Sequence, residues 1–136
     1  MESILFILLT MGIVYLVSIA WHAGGEKEKD NIPKMKVITL CGSTRFKEQF
    51  LEQQKRLTLE GNIVLSVGLF GHAGDNEVWQ PGIKEMLDRG HLQKIDMSDE
   101  IFVINVGGYI GDSTKREISY AKASGKTVNY LSLVSR

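Results

Sequence analysis

Three stretches of this chain carry side chains able to do chemistry. Residues 112–120 read D-S-T-K-R-E-I-S-Y and follow an apolar run, I-F-V-I-N-V, and a glycine-rich turn, G-G-Y-I-G. Glu117 stands inside that stretch. A carboxylate placed at a ligand crevice can act as a nucleophile or as a general acid or base. The same residues admit a plainer role. T-K-R-E is a capping box, with Thr114 as N-cap and Glu117 at the third helical position reaching back to it. The two roles are compatible, because a helix N-terminus favours the charged form of a carboxylate.

The second stretch is C-G-S-T-R-F, residues 41–46. Gly42 permits close backbone approach, Ser43 and Thr44 offer hydroxyls, and a helix starting here would offer free amides. Arg45 can grip a phosphate or carboxylate with two parallel hydrogen bonds. The pattern predicts an anion site, and the alternative is a plain N-cap with a surface arginine. It is not a P-loop, because the G-K-[ST] ending is absent.

The third stretch, G-L-F-G-H-A-G-D-N-E-V-W-Q-P-G at residues 68–82, reads as a long loop. Phe70, His72 and Trp79 could form a lid on which a base stacks, or the loop could be solvated around one packed aromatic. His91 falls on the apolar side of the next helix, either as a satisfied core histidine or as a site residue. His72, Asp75 and Glu77 do not form a recognised metal motif, and Cys41 has no cysteine partner. Neither a metal nor any other cofactor is expected.

The elements that must position these residues alternate. K-V-I-T-L-C reads as a buried strand, Phe46 to Glu60 as a helix closed by Gly61, and N-I-V-L-S-V as a second strand. Ile83 to about Met97 has helical spacing at Ile83, Leu87, His91 and Ile95. E-I-F-V-I-N-V is a third strand, residues 114–124 a helix ended by Gly125, and T-V-N-Y-L a fourth strand. Apolar strands alternating with helices predict an α/β fold with a doubly wound, flavodoxin- or Rossmann-like parallel sheet of about four to five strands, order 2-1-3-4. The loops after Cys41, Val67 and Val106 should then converge beyond the carboxyl ends of the strands.

Size and charge set the outer bounds. The chain has 136 residues, enough for one core, with 16 basic and 16 acidic side chains and no net charge. That balance argues against a nucleic-acid partner. The single cysteine excludes an internal disulfide and suits a reducing compartment. Residues 3–21, opening on Ser3 and ending on Trp21, carry no charge and approach the roughly 20 apolar residues needed to span a bilayer. A signal peptide fits poorly, since no basic residue precedes the run. A buried core helix and a membrane anchor remain, and the anchor is favoured. Lys27, Lys29, Lys34 and Lys36 follow it, which would keep the domain on the cytoplasmic side. Residues 1–21 are therefore taken as an apolar or transmembrane helix, 22–34 as a linker and 35–136 as the folded domain.

With these landmarks in order, the domain resembles the nucleoside 2-deoxyribosyltransferase-like superfamily, which includes 2'-deoxynucleoside 5'-monophosphate N-hydrolases. The likeness runs from Met35 to about Leu131. It rests on C-G-S-T-R after the first strand, a helix running into S-D-E-I-F-V-I, and the glycine loop into R-E-I-S-Y-A followed by G-K-T-V. It implies cleavage, by hydrolysis or transfer, of the N-glycosidic bond of a nucleoside or (deoxy)nucleoside 5'-monophosphate. Glu117 would be the nucleophile, and Ser43 and Arg45 would hold a 5'-phosphate. Gly111, Asp112, Ser113 and Thr114 would contribute through the last turn. A homo-oligomer is also implied. His91 stands where many members carry an aspartate that acts at the base, and could serve as acid or base instead. Gly111 stands where transferases often have an aspartate near the sugar, which favours hydrolysis over transfer. A nucleotide sensor of the same fold and a membrane-tethered interaction domain are the rival readings.

Overall fold

A computed structural model describes residues 32–132. The chain divides between Lys34 and Met35, and the fold below is that of the second unit. The apolar segment 3–21 and nearly all of the linker 22–34 lie outside the described residues. Among the described residues no helix is long and apolar enough to cross a membrane.

Strands and helices alternate as the pattern requires. The strands are β1 (Val37–Gly42), β2 (Ile63–Leu65), β3 (Glu100–Ile104) and β4 (Thr127–Tyr130). The helices are α1 (Lys47–Leu59), α2 (Ile83–Met97) and α3 (Asp112–Ala123). All strand pairs are parallel, and the sheet order is β2-β1-β3-β4. The N-terminal apolar helix expected before this unit falls outside the described residues.

Period-two alternation sends side chains of one strand into two separate cores. Ile38, Leu40 and Ile104 pack with Phe50 and Leu57 of α1 and with Phe70 on one face. Cys41, Ile101 and Val103 pack on the other face with Ile95 of α2 and with Ile118 and Ala121 of α3. Both faces are covered, so β1 and β3 read as continuous apolar runs. Each fully buried leucine, isoleucine or phenylalanine here contributes about 1.5–3 kcal/mol.

Two strands end earlier than their apolar runs suggest, and side chains explain both. β2 stops at Leu65, where Lys94 of α2 donates its Nζ to the Ser66 carbonyl at 2.7 Å. β3 stops at Ile104 because the buried Asn105 side chain takes over the ladder. It donates Nδ2 to the Ser132 carbonyl at 3.1 Å and accepts the Ser132 amide at 2.9 Å.

Gly42 sets how closely the site loops approach. It pairs with Ile104 across β1 and β3. A Cβ added at Gly42, where φ is +157°, would stand 2.8 Å from the Ile104 carbonyl oxygen. Backbone cannot move aside as a flexible side chain does. Gly42→Ala should therefore destabilise the fold by about 1–3 kcal/mol, read as a lower denaturation midpoint. An unchanged midpoint would show that the strand ends separate at no cost.

Candidate active site

A cavity of about 380 Å³ opens beyond the carboxyl ends of β1 and β3, a size suited to a small ligand. All three expected loops line it. The loop after β1 supplies Gly42, Ser43, Thr44 and Arg45, the loop after β2 supplies Val67 to Leu69, and the loop after β3 leads to Tyr109 and Gly111. Glu117, His91 and Asp88 line its helix side.

The first loop is held by its neighbours. Thr44 Oγ1 lies 2.7 Å from His72 Nδ1 and also accepts the His72 amide at 3.2 Å. Its hydroxyl is therefore committed to joining two loops. Arg45 donates Nε to Ser43 Oγ at 3.1 Å and Nη2 to the Tyr109 hydroxyl at 3.2 Å, with its guanidinium 4.4 Å from the Tyr109 ring centre. A guanidinium has five N–H donors, so those two bonds leave capacity for an anion.

The loop 68–82 is built from two short 3-10 turns, Gly71–Ala73 and Asn76–Trp79. Asp75 holds it by accepting the Phe70 amide at 2.6 Å. His72 and Trp79 line the cavity, their rings 5.1 Å apart and edge-on, and Trp79 is 50% exposed. Phe70 corrects the expectation. Its ring is buried edge-on against Phe50, 5.5 Å away, so it anchors the loop in the core and does not line the cavity.

The glycine loop also differs from expectation. Gly107 and Gly108 take positive φ values, +61° and +83°, and make the turn out of β3. Only Gly111 of the three glycines lines the cavity. α3 begins at Asp112 with Gly111 as N-cap and no side-chain capping bond, and its first helical bond runs from the Lys115 amide to the Gly111 carbonyl at 2.9 Å. The capping box is therefore absent. Thr114 is a buried third residue of the helix, and Glu117 is its sixth. Asp112, Ser113 and Thr114 line the cavity, and their amides precede that first helical bond.

Released from capping, Glu117 faces inward. Its Oε2 is a buried side-chain oxygen without a hydrogen-bond partner among the described residues. His91 Nε2 approaches it to 3.8 Å, and the same Nε2 lies 3.4 Å from Cys41 Sγ. The Glu117 and His91 side chains are 17% and 8% exposed. Sequence spacing could not have brought these together, since they come from α3, α2 and β1. Asp96 and Asp99, the acids following His91, are occupied elsewhere. Asp96 accepts the Tyr120 hydroxyl at 2.8 Å, and Asp99 accepts the Val37 amide at 2.8 Å. Asp88, one turn before His91, is the acid of α2 that reaches the cavity, paired with Lys84 at 2.6 Å. The helical spacing of Lys84, Asp88 and His91 was the available clue.

Burial governs the charges. It raises the Glu117 carboxyl to about 7, opposed chiefly by the Cys41 thiol. Burial lowers the His91 imidazole to about 4, helped by Lys94 and opposed by Asp88. The Cys41 thiol is pushed well up, first by burial and then by Glu117. At neutral pH the imidazole is therefore uncharged and the carboxyl is partly protonated, so their approach is not an ion pair. This reverses the expectation that a helix start keeps Glu117 charged. It also leaves His91 without the proton of a cationic acid.

No protein-family model matches this chain, and no curated protein does. The functional reading rests on the residues themselves.

The two shifts have opposite signs and nearly cancel. A raised carboxyl stabilises the fold fully below its unfolded value of 4.5 and loses that as pH rises through about 7. A lowered imidazole stabilises it fully above 6.5 and loses that as pH falls through about 4. Each is worth roughly 3 kcal/mol. Left with the imidazole alone, Glu117→Gln should lose stability as pH falls from 6.5 to 4, where wild type stays nearly level. His91→Gln should lose it as pH rises from 4.5 to 7. Denaturant titrations across pH test this, and parallel curves for all three proteins would refute it.

Proposed function

We propose that this domain cleaves the N-glycosidic bond of a nucleoside or nucleoside 5'-monophosphate, with Glu117 acting at the anomeric carbon. The finer fold reading, a doubly wound flavodoxin- or Rossmann-like domain of the nucleoside 2-deoxyribosyltransferase type, belongs to the same proposal. So do the homo-oligomer and the tether by residues 3–21. The observation that carries the reading is the pairing, in one cavity, of the inward-facing Glu117 carboxyl with Arg45, Ser43 and the free amides of α3.

Those groups divide the work. Arg45, Ser43 and the amides at residues 112–114 hold the phosphate and fix the sugar. The ionised Glu117 attacks the anomeric carbon or stabilises its developing positive charge, and water then completes hydrolysis. Trp79, Val78 and Leu87 offer an apolar wall to the base. His91, neutral and 3.8 Å from Glu117, excludes water from one side of the carboxyl. Asp88 is the side chain placed to hydrogen-bond the base.

Glu117→Gln should abolish base release while the fold persists. Arg45→Ala should lower kcat/KM for the monophosphate by roughly tenfold to a hundredfold, the worth of a hydrogen bond to a charged group, and leave the nucleoside little affected. Because the nucleophile must be ionised, kcat/KM should rise with pH through about 7, well above the usual carboxylate range. Base release by Glu117→Gln at the wild-type rate would eliminate the nucleophile.

One observation favours the sensor as a second reading. His91 carries no spare proton at neutral pH, and Asp96 and Asp99 are occupied by Tyr120 and Val37. Ligand-dependent thermal stabilisation without any free base, over a panel of nucleosides and monophosphates, would select it. Membrane fractionation of the full-length chain tests the tether, and full recovery in the soluble fraction would remove it.

A further inference from the structure

We propose that Cys41, His91 and Glu117 form a three-ligand site for zinc or a similar thiophilic divalent cation. The three donors come from β1, α2 and α3, with His91 and Glu117 lining the cavity and Cys41 buried behind them. Cys41 Sγ and His91 Nε2 are 3.4 Å apart, His91 Nε2 and Glu117 Oε2 are 3.8 Å apart, and all three atoms lie within 4.8 Å of one another. Tetrahedral zinc, with bonds of about 2.3 Å to sulfur and about 2.0–2.2 Å to nitrogen or oxygen, needs ligand atoms about 3.3–3.6 Å apart. The Cys41–His91 separation already meets that spacing, and the Glu117 side chain must shift inward to complete it.

The chemistry of the donors points the same way. Thiolate with imidazole and a carboxylate selects zinc over magnesium or calcium, which prefer oxygen alone. Glu117 Oε2, buried without a partner, gains one in the cation. Binding exchanges the Cys41 S–H bond for a sulfur–metal bond and releases the proton to solvent. Three protein ligands leave a fourth coordination position, and His91 and Glu117 both line the cavity from which it is reached.

Occupation has a consequence that rests on the proposed activity. A carboxylate bound to a cation cannot also attack an anomeric carbon, so metal and cleavage exclude each other. Zinc would then act as an inhibitor held by the nucleophile itself.

The test uses the full chain, stripped with a chelator and titrated with cobalt(II) and then zinc. The expected result is one equivalent of cobalt with tetrahedral visible bands and a thiolate-to-cobalt band in the near ultraviolet, displaced by zinc. The chain has one cysteine, so that ultraviolet band can arise only from Cys41. Cys41→Ser should lose the band. Glu117→Gln and His91→Gln should keep the thiolate but weaken affinity more than roughly tenfold, since even groups behind the ligands are worth that much. Should Cys41→Ser fail to fold, those two variants still decide. Absence of the band, or unchanged affinity in Glu117→Gln, overturns the site. Base release measured in parallel separates the two proposals. Zinc binding without any base release, in metal-bound or chelated protein, leaves the site standing and removes the cleavage reading. Base release with no metal binding does the reverse.

Discussion

The pairing of Gly42 with Ile104 is the constraint on which the rest of the site depends. Two neighbouring strands end together there, and the missing side chain at residue 42 lets the backbones close. From that point the loop after β1 and the loop after β3 leave on the same edge of the sheet. Arg45 then meets Tyr109, and Ser43 meets Arg45. A parallel sheet with both faces covered leaves the ends of its strands as the place where polar groups can gather. The chemistry concentrates there because the rest of the sheet is closed to it.

Within the site, two electrostatic effects oppose each other at Glu117, and magnitude decides between them. A helix N-terminus stabilises a nearby carboxylate by about 0.3–1 kcal/mol, and only within its first turn. Glu117 is the sixth helical residue and is already beyond that turn. Burial acts in the other direction, with an effect of roughly 3 kcal/mol. The carboxyl is consequently shared between its two forms near neutrality. Its imidazole and thiol neighbours are pushed by the same burial toward their neutral forms. Packing thus keeps the thiol and imidazole uncharged and holds the carboxyl beside them only partly ionised.

The architecture was legible because its signals are local and repeated. Apolar runs in 37–41 and 100–104 alternate with helical spacing in 47–59 and 83–97, and these determined element type and sheet order. Boundaries were less legible where a side chain substitutes for backbone, as Asn105 does toward Ser132 and Lys94 toward Ser66. T-K-R-E resembled a capping box because the local pattern is the same wherever the helix starts. The cap was set three residues earlier, at the Gly111 carbonyl. The loops lining the cavity were expected from topology, and Arg45, Ser43, Trp79 and His72 do line it. Cys41 was read as a strand residue and His91 as ambiguous, since their meeting with Glu117 depends on three elements packing together. Phe70 was misplaced for a related reason. An aromatic in a long loop can face a ligand or the core, and burial against Phe50 decides for the core.

Arg45 carries one more implication. Its guanidinium is held by Ser43 below and Tyr109 beside before any ligand arrives. A long arginine side chain otherwise loses up to about 2 kcal/mol of rotational freedom when it is fixed in place. Here that ordering accompanies folding, so an incoming anion meets donors already aimed and loses less entropy in binding. The cavity is therefore suited to discriminate by shape as well as by charge, since a ligand must fit Arg45 where Tyr109 holds it.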